Sequence, residues 1–362
     1  MKPSFRNVHN RFKLNGIHFS FEELNDVAYN YIKEGYPYEQ ILGWFILDWI
    51  DEKDYIYANT SGSTGVPKKV KLSKQAMVNS AIATGDFFNL EPGDSALLCL
   101  PMEYIAGKMM LIRAVILGLE LDLVEPTSKI ELPVSINYDF SAMVPLQVRN
   151  SLNIIENIKT LIVGGSPMSQ VLKGELQTYK THVYETYGMT ETVTHIALKQ
   201  INNFSDDAPE FNDVFRTLEG VTVSQDERGC MVINAPKLAK DIIITNDVIK
   251  WHSHSTFEWL GRFDHVINSG GVKLFPEQIE AKLQKNMSTR FFVAALPDEN
   301  LGQKLILVVE SEDNRLDKKV FSVLDKFEIP KAIYAVSKFE ETTSGKIRRR
   351  ATLKKITINC NN

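Results

Sequence analysis

Cysteine is scarce in this chain, and no apolar run is long. Cys99, Cys230 and Cys360 are the only three in 362 residues, lie far apart and form no C-x-x-C pair. That spacing excludes a disulfide framework and the common zinc patterns, and makes a reducing, cytoplasmic setting the expectation. The most apolar stretch, Ile41-Leu42-Gly43-Trp44-Phe45-Ile46-Leu47, is closed by Asp48. It falls short of the roughly 20 residues that a bilayer span needs, so a buried amphipathic helix and no stable membrane insertion are expected. Met1 to Phe12 is polar and lacks the apolar core of a secretory signal. Positive charge is not in excess either. With 41 Lys+Arg against 45 Asp+Glu the net charge is −4, which argues against a nucleic-acid partner but leaves nucleotides open.

What is present is ordinary for a globular protein: 44% hydrophobic and 24% charged residues, in a length sufficient for two or three domains. Strand-like runs at Tyr55–Ala58, Ala96–Leu100, Leu119–Val124, Thr160–Val163 and His182–Thr186 alternate with helical stretches, including one with Ser73 as N-cap. This alternation predicts a largely parallel α/β sheet. A β-rich segment from Val214 to Trp259 follows, with a hairpin turn at Glu227-Arg228-Gly229, then a compact α+β pattern with a helix from Pro276. The domain boundary is placed near Asp264, giving residues 1–263 and 264–362.

Several segments carry chemistry. After the first strand comes Thr60-Ser61-Gly62-Ser63-Thr64-Gly65-Val66-Pro67-Lys68. Its glycines permit close backbone approach, its hydroxyls donate, and Lys68 offers a point charge, so it suits polyphosphate oxygens. It is not a Walker A loop, and by itself it fits a solvated turn equally well. Gly164-Gly165-Ser166 ends an apolar strand, where a flat ring could approach the backbone or the chain could simply turn. Tyr187-Gly188-Met189-Thr190-Glu191 combines a stacking face, a small residue, a hydroxyl and a carboxylate suited to Mg²⁺. Asp247 and Arg262 could grip ribose hydroxyls, although each alone reads as a surface charge. Lys346 sits in the small-residue turn Thr343-Ser344-Gly345-Lys346, and Arg348 to Arg350 read as a solvated basic run.

Together these five segments resemble, in order and spacing, the acyl-adenylate-forming superfamily of acyl- and aryl-CoA ligases, luciferases and peptide-synthetase adenylation domains. The resemblance covers Tyr55 to Leu353. It implies an adenylate-forming enzyme fold: an AMP-binding domain of α/β layers plus a β-rich subdomain, and a small mobile α+β C-terminal domain. It also implies that a carboxylic acid attacks ATP to form an acyl-adenylate, with CoA then displacing AMP. Matching positions suggest that Thr60, Ser61, Gly62, Ser63, Thr64, Gly65 and Lys68 hold phosphates. Gly164, Gly165 and Ser166 would flank adenine, with Tyr187 stacking on it and Gly188 permitting its close approach. Thr190 would contact the α-phosphate, Glu191 magnesium, and Asp247 and Arg262 ribose. Asp264 resembles the hinge, Gly270-Gly271 the edge of the CoA channel, and Lys346 the lysine bridging carboxylate and phosphate.

The chain departs from the pattern at Lys69, Asn246, Glu340 and Tyr104, the last standing where many members carry histidine. It also has a short stretch before the phosphate loop, which implies a truncated N-terminal domain. A sheet surface left uncovered by that truncation would be closed by a homodimer or a partner. The compact form is similar to the short o-succinylbenzoate–CoA ligases of menaquinone biosynthesis. For such an acid, Tyr104, Lys108 and His195 are the pocket candidates. Another aryl or fatty acid, transfer to a carrier protein, and a non-catalytic nucleotide-binding homologue remain alternatives.

Overall fold

The computed structural model describes residues 3–59, 69–133, 135–204, 214–341 and 347–359. A 13-stranded sheet forms its frame. Six strands at one end run parallel, in the spatial order Lys13–Leu14, Glu120–Leu123, Ser95–Leu98, Tyr138–Met143, Ile158–Val163 and His182–Gly188. From His195–Gln200 onward the sheet turns antiparallel through Phe215–Thr217, Thr256–Arg262, Ile243–Ser253, Cys230–Asn234 and Thr222–Gln225. The predicted alternation and the β-rich segment are thus two ends of one sheet. The hairpin at 227–229 forms as expected.

Parallel strands need covered faces, and their apolar runs reflect it. On one face the helices Leu24–Glu34, Pro37–Ile50, Lys74–Phe88 and Ile105–Leu117 share a core that includes Trp49, Phe45, Met77, Ile112 and Phe140. The other face carries Pro145–Asn150 and Gln170–Glu175, whose Val148 and Leu172 share a core with Val163 and Val183. The Ile41–Leu47 run lies in Pro37–Ile50 with Leu42, Phe45 and Ile46 buried and Trp44 exposed. The first helix begins at Leu24. Ser73 caps Lys74–Phe88 through its hydroxyl, which accepts from the Ala76 N–H, and Asn89 ends the helix in the left-handed region. No helix among the described residues is long and apolar enough to cross a membrane.

A second, five-stranded sheet is built from Ile267–Ser269, Val272–Leu274, Phe291–Asp298, Gly302–Glu310 and Ala332–Val336. Helix Pro276–Leu283 packs on one face through Ile279 and Leu283, and Ile356 of Arg349–Asn359 packs on the other. Only Phe263–Val266, including a single 3-10 turn, separates the two sheets.

Candidate active site

Two of the segments singled out in the sequence, Gly164-Gly165-Ser166 and Tyr187–Glu191, lie at the carboxyl ends of neighbouring parallel strands, where open α/β sheets present their loops. Strands Tyr55–Asn59 and Lys69–Ser73 pair antiparallel, with Asn59 opposite Lys69. They hold the two feet of the Thr60–Lys68 loop, which itself lies outside the described residues, as does Lys346. The segment 342–346 is likewise pinned at its feet by the bridge between Glu341 and Ile347.

Gly164-Gly165-Ser166 follows Ile158–Val163, and a Cβ at Gly164 would collide with the Thr186 hydroxyl of the neighbouring strand. Glu185 steadies this turn: its carboxylate accepts from the Met168 N–H at 2.9 Å and pairs with Lys173 at 2.7 Å and Lys199 at 3.3 Å. Burial pushes this carboxyl up, but the two ammonium groups outweigh it and hold it below the usual glutamate range. Its folded pKa is therefore the lower one. The stabilisation is present above the unfolded value, roughly 4.3, and is lost as pH falls through the folded value. Replacing Glu185 by glutamine should cost about 3 kcal/mol at neutral pH, because its largely buried ion pairs with Lys173 and Lys199 are lost. Urea unfolding at pH 7 and at pH 3 checks this. A loss equally large at pH 3 would refute the electrostatic account.

Tyr187, Asp247 and Arg262 come together from three strands. The Tyr187 hydroxyl donates to Asp247 Oδ2 at 2.6 Å, and the Trp259 indole N–H donates to Oδ1 at 3.3 Å. Arg262 Nη1 reaches the same oxygen at 3.5 Å, while its Nε donates to Asp264 Oδ1 at 3.2 Å. Burial and the Asp247 charge push the Tyr187 phenol far up, so it stays a donor. Its ring meets Phe257 and Phe215 edge-on. Arg262 is only partly buried and borders both carboxylates. Gly188 lies so close to the backbone of Thr194 and His195 that no Cβ fits.

Thr190 is half-buried, and Glu191 is exposed, with no partner among the described residues. A lone hard oxygen ligand of this kind fits Mg²⁺, which takes one or two carboxylates beside substrate phosphates. The next turn is tightly folded. Val193 adopts φ 69°, ψ −57°, and the Thr194 N–H donates to Thr192 O at 2.8 Å. This is a γ-turn in its strained form, held by the full burial of a β-branched side chain.

The pocket candidates fare differently. Tyr104 is exposed at the start of Ile105–Leu117. Lys108 donates to Met102 O at 2.6 Å and lies over the Phe45 ring, with burial holding its pKa down. Its ammonium is engaged by the protein and is not a free cation facing an acid. His195 is buried one strand from Gly188 and faces Arg113, a residue the sequence reading passed over.

Arg113 is 1% exposed. Its Nη2 lies 3.4 Å from His195 Nδ1, its Nε 3.3 Å from Thr84 Oγ1 and its Nη1 3.6 Å from Met110 Sδ. A guanidinium only donates, so His195 Nδ1 accepts and the imidazole proton sits on Nε2, which donates to Thr84 Oγ1 at 3.2 Å. The Thr84 hydroxyl in turn donates to Ser80 O. All these partners are neutral: burial, then the Arg113 charge, hold His195 well below its ordinary value. Burial alone lowers Arg113 to about 9. No described carboxylate pairs with it. A lone arginine inside the apolar run Met109–Leu117 was the available signal.

Gly270 and Gly271 have φ 59° and 83° and form the two-residue turn between Ile267–Ser269 and Val272–Leu274. Among the described residues no cluster of three or more metal-ligating side chains occurs.

The family model described as AMP-binding enzyme matches residues 48–223. A 2-succinylbenzoate–CoA ligase of Lactococcus lactis is 25% identical over 84% of this chain and 71% of its own length. An o-succinylbenzoate coenzyme A synthetase from Bacillus subtilis, solved with ATP and magnesium, has the same fold, with a TM-score of 0.70 at 19% identity. That alignment spans 85% of this chain and 74% of that one. An acyl-CoA synthetase (AMP-forming)/AMP-acid ligase II-like protein from Dyadobacter fermentans is 34% identical, with a TM-score of 0.61 over 91% of this chain and 98% of that one. This chain belongs to the family of AMP-binding enzymes.

Proposed function

We propose that the protein is an ATP-dependent acid–CoA ligase working through an acyl-adenylate, with 2-succinylbenzoate as the acid. The observation that carries the choice of acid is Arg113, a fully buried guanidinium with only neutral partners beside His195. Such a cation is costly unless a ligand supplies the anion. An aryl acid with a second, non-reacting carboxylate supplies it, and a fatty acid chain does not. The centre lies next to Tyr187–Glu191, so the reacting carboxylate of the same molecule would point toward the nucleotide segment. The names of the Lactococcus and Bacillus relatives support the same acid.

In this reading Tyr187 and the Gly164–Ser166 turn receive adenine, and Asp247 with Arg262 receives the ribose. Thr190, Lys68 and the Thr60–Gly65 loop receive the phosphates, and Glu191 would hold Mg²⁺, which neutralises phosphate charge when bound. Lys346 stabilises the charge that develops as carboxylate oxygen joins the α-phosphorus and pyrophosphate leaves. The unit after Asp264 then reorients and brings Gly270-Gly271 to the thiol, which displaces AMP. ATP–pyrophosphate exchange with a panel of acids, followed by addition of CoA, tests this. Exchange strongest with 2-succinylbenzoate is expected. Preference for a long-chain acid would overturn the choice of acid, and no exchange with any acid would favour a non-catalytic nucleotide-binding homologue.

A further inference from the structure

The joint between the two sheets is tied more firmly than a plain linker requires. His265 Nδ1 and Glu277 Oε1 lie 2.5 Å apart, joining the residue after Asp264 to the first turn of Pro276–Leu283. The other Glu277 oxygen is buried without a hydrogen-bond partner among the described residues. It lies beside Gly261, where an added Cβ would sit 2.5 Å from it and where φ is +150°. Beside it, the Gln278 side-chain amide donates to Trp259 O at 3.0 Å and to Leu260 O at 3.2 Å. Two successive residues of this helix therefore lie against Trp259, Leu260 and Gly261 of strand Thr256–Arg262, Gln278 through hydrogen bonds and Glu277 through close approach.

The same joint reaches the nucleotide site. Trp259, whose carbonyl Gln278 holds, donates its indole N–H to Asp247. Arg262 spans Asp247 and Asp264, and the His265 ring stands 4.0 Å from Asp264. An unsatisfied buried carboxylate oxygen is a local cost, and it would be relieved if the helix moved away from Gly261.

We propose that Glu277, His265 and Gln278 form a latch that holds the C-terminal unit in one working orientation, and that they are positioning residues for the change between half-reactions. This rests on the two-step ligase reading above. The test uses the full chain with spin labels at Lys240→Cys and Glu312→Cys, both exposed positions on opposite sides of the joint, in a Cys360→Ser background. Distances between the labels are measured without nucleotide in the parent, Glu277→Gln and His265→Ala proteins. The parent should show one dominant distance. Each variant should broaden or shift it, and should move the ratio of adenylation to thioester-forming rates about tenfold, the size of one charged hydrogen bond.

Unchanged distances in both variants overturn the latch, and so does an equal slowing of both half-reactions at an unchanged distance, which is what a merely structural role would produce. Altered distances in the variants, with a parent that exchanges pyrophosphate with no acid, would instead support the latch and overturn the ligase reading.

Discussion

Replacing Arg113 by methionine should lower kcat/KM for 2-succinylbenzoate by about 10²–10³-fold, the usual range for truncating one member of a buried charge pair. Activity toward benzoate-like acids with a single carboxylate should change little, because they bring no anion to this centre. The same substitution should raise the stability of the free protein by about 1–3 kcal/mol, since it removes a desolvated cation whose partners are Thr84, Met110 and His195. The two signs separate the explanations. A packing arginine would lose stability and slow every acid alike, whereas a substrate-binding arginine is held at the expense of stability. Urea unfolding and rates with both acids decide it. A matched loss with both acids would end the assignment.

Lys346→Ala should reduce adenylate formation by about 10²–10³-fold, the scale of removing one preorganised group from a developing negative charge. Thioester formation from supplied acyl-adenylate should stay within a few-fold, because the carboxylate and phosphate no longer need joining. Single-turnover measurement of each half-reaction gives the comparison, and equal losses in both would refute the role. The segment that carries Lys346 is anchored by the Arg348 N–H donating to Glu340 O and by the bridge from Glu341 to Ile347. Alanine at 346 leaves these backbone ties in place, so the lost charge is what the experiment reads.

Much of the site was legible because its residue types announce their chemistry along the chain. Glycines at 164, 165 and 188 stand where neighbouring strands leave no room or the backbone turns left-handed. Tyr187, Glu191, Asp247 and Arg262 were named from local pattern, and Tyr187, Asp247 and Arg262 meet within hydrogen-bonding distance. The pocket was read less well. Lys108 was the cation candidate for the second carboxylate, but a helix turns about 100° per residue, so Lys108 and Arg113 face different neighbours. Lys108 meets Phe45 and Met102, whereas Arg113 meets Thr84 and His195.

By itself the sequence determined the strand–helix alternation, the antiparallel hairpin, the nucleotide-type segments and their order. Each of these depends on neighbours a few residues apart: period, turn residues, caps and small side chains. Only the tertiary structure decided that Arg113 is buried among neutral partners, where the Glu277 carboxylate is wedged, and that Trp259 links Asp247 to Gln278. Those facts depend on burial, and burial is set by residues far apart in the chain: Arg113 lies 29 positions from Thr84 and 82 from His195. A charge on the surface and the same charge in the core have identical letters, and desolvation alone makes the second one a demand for a partner.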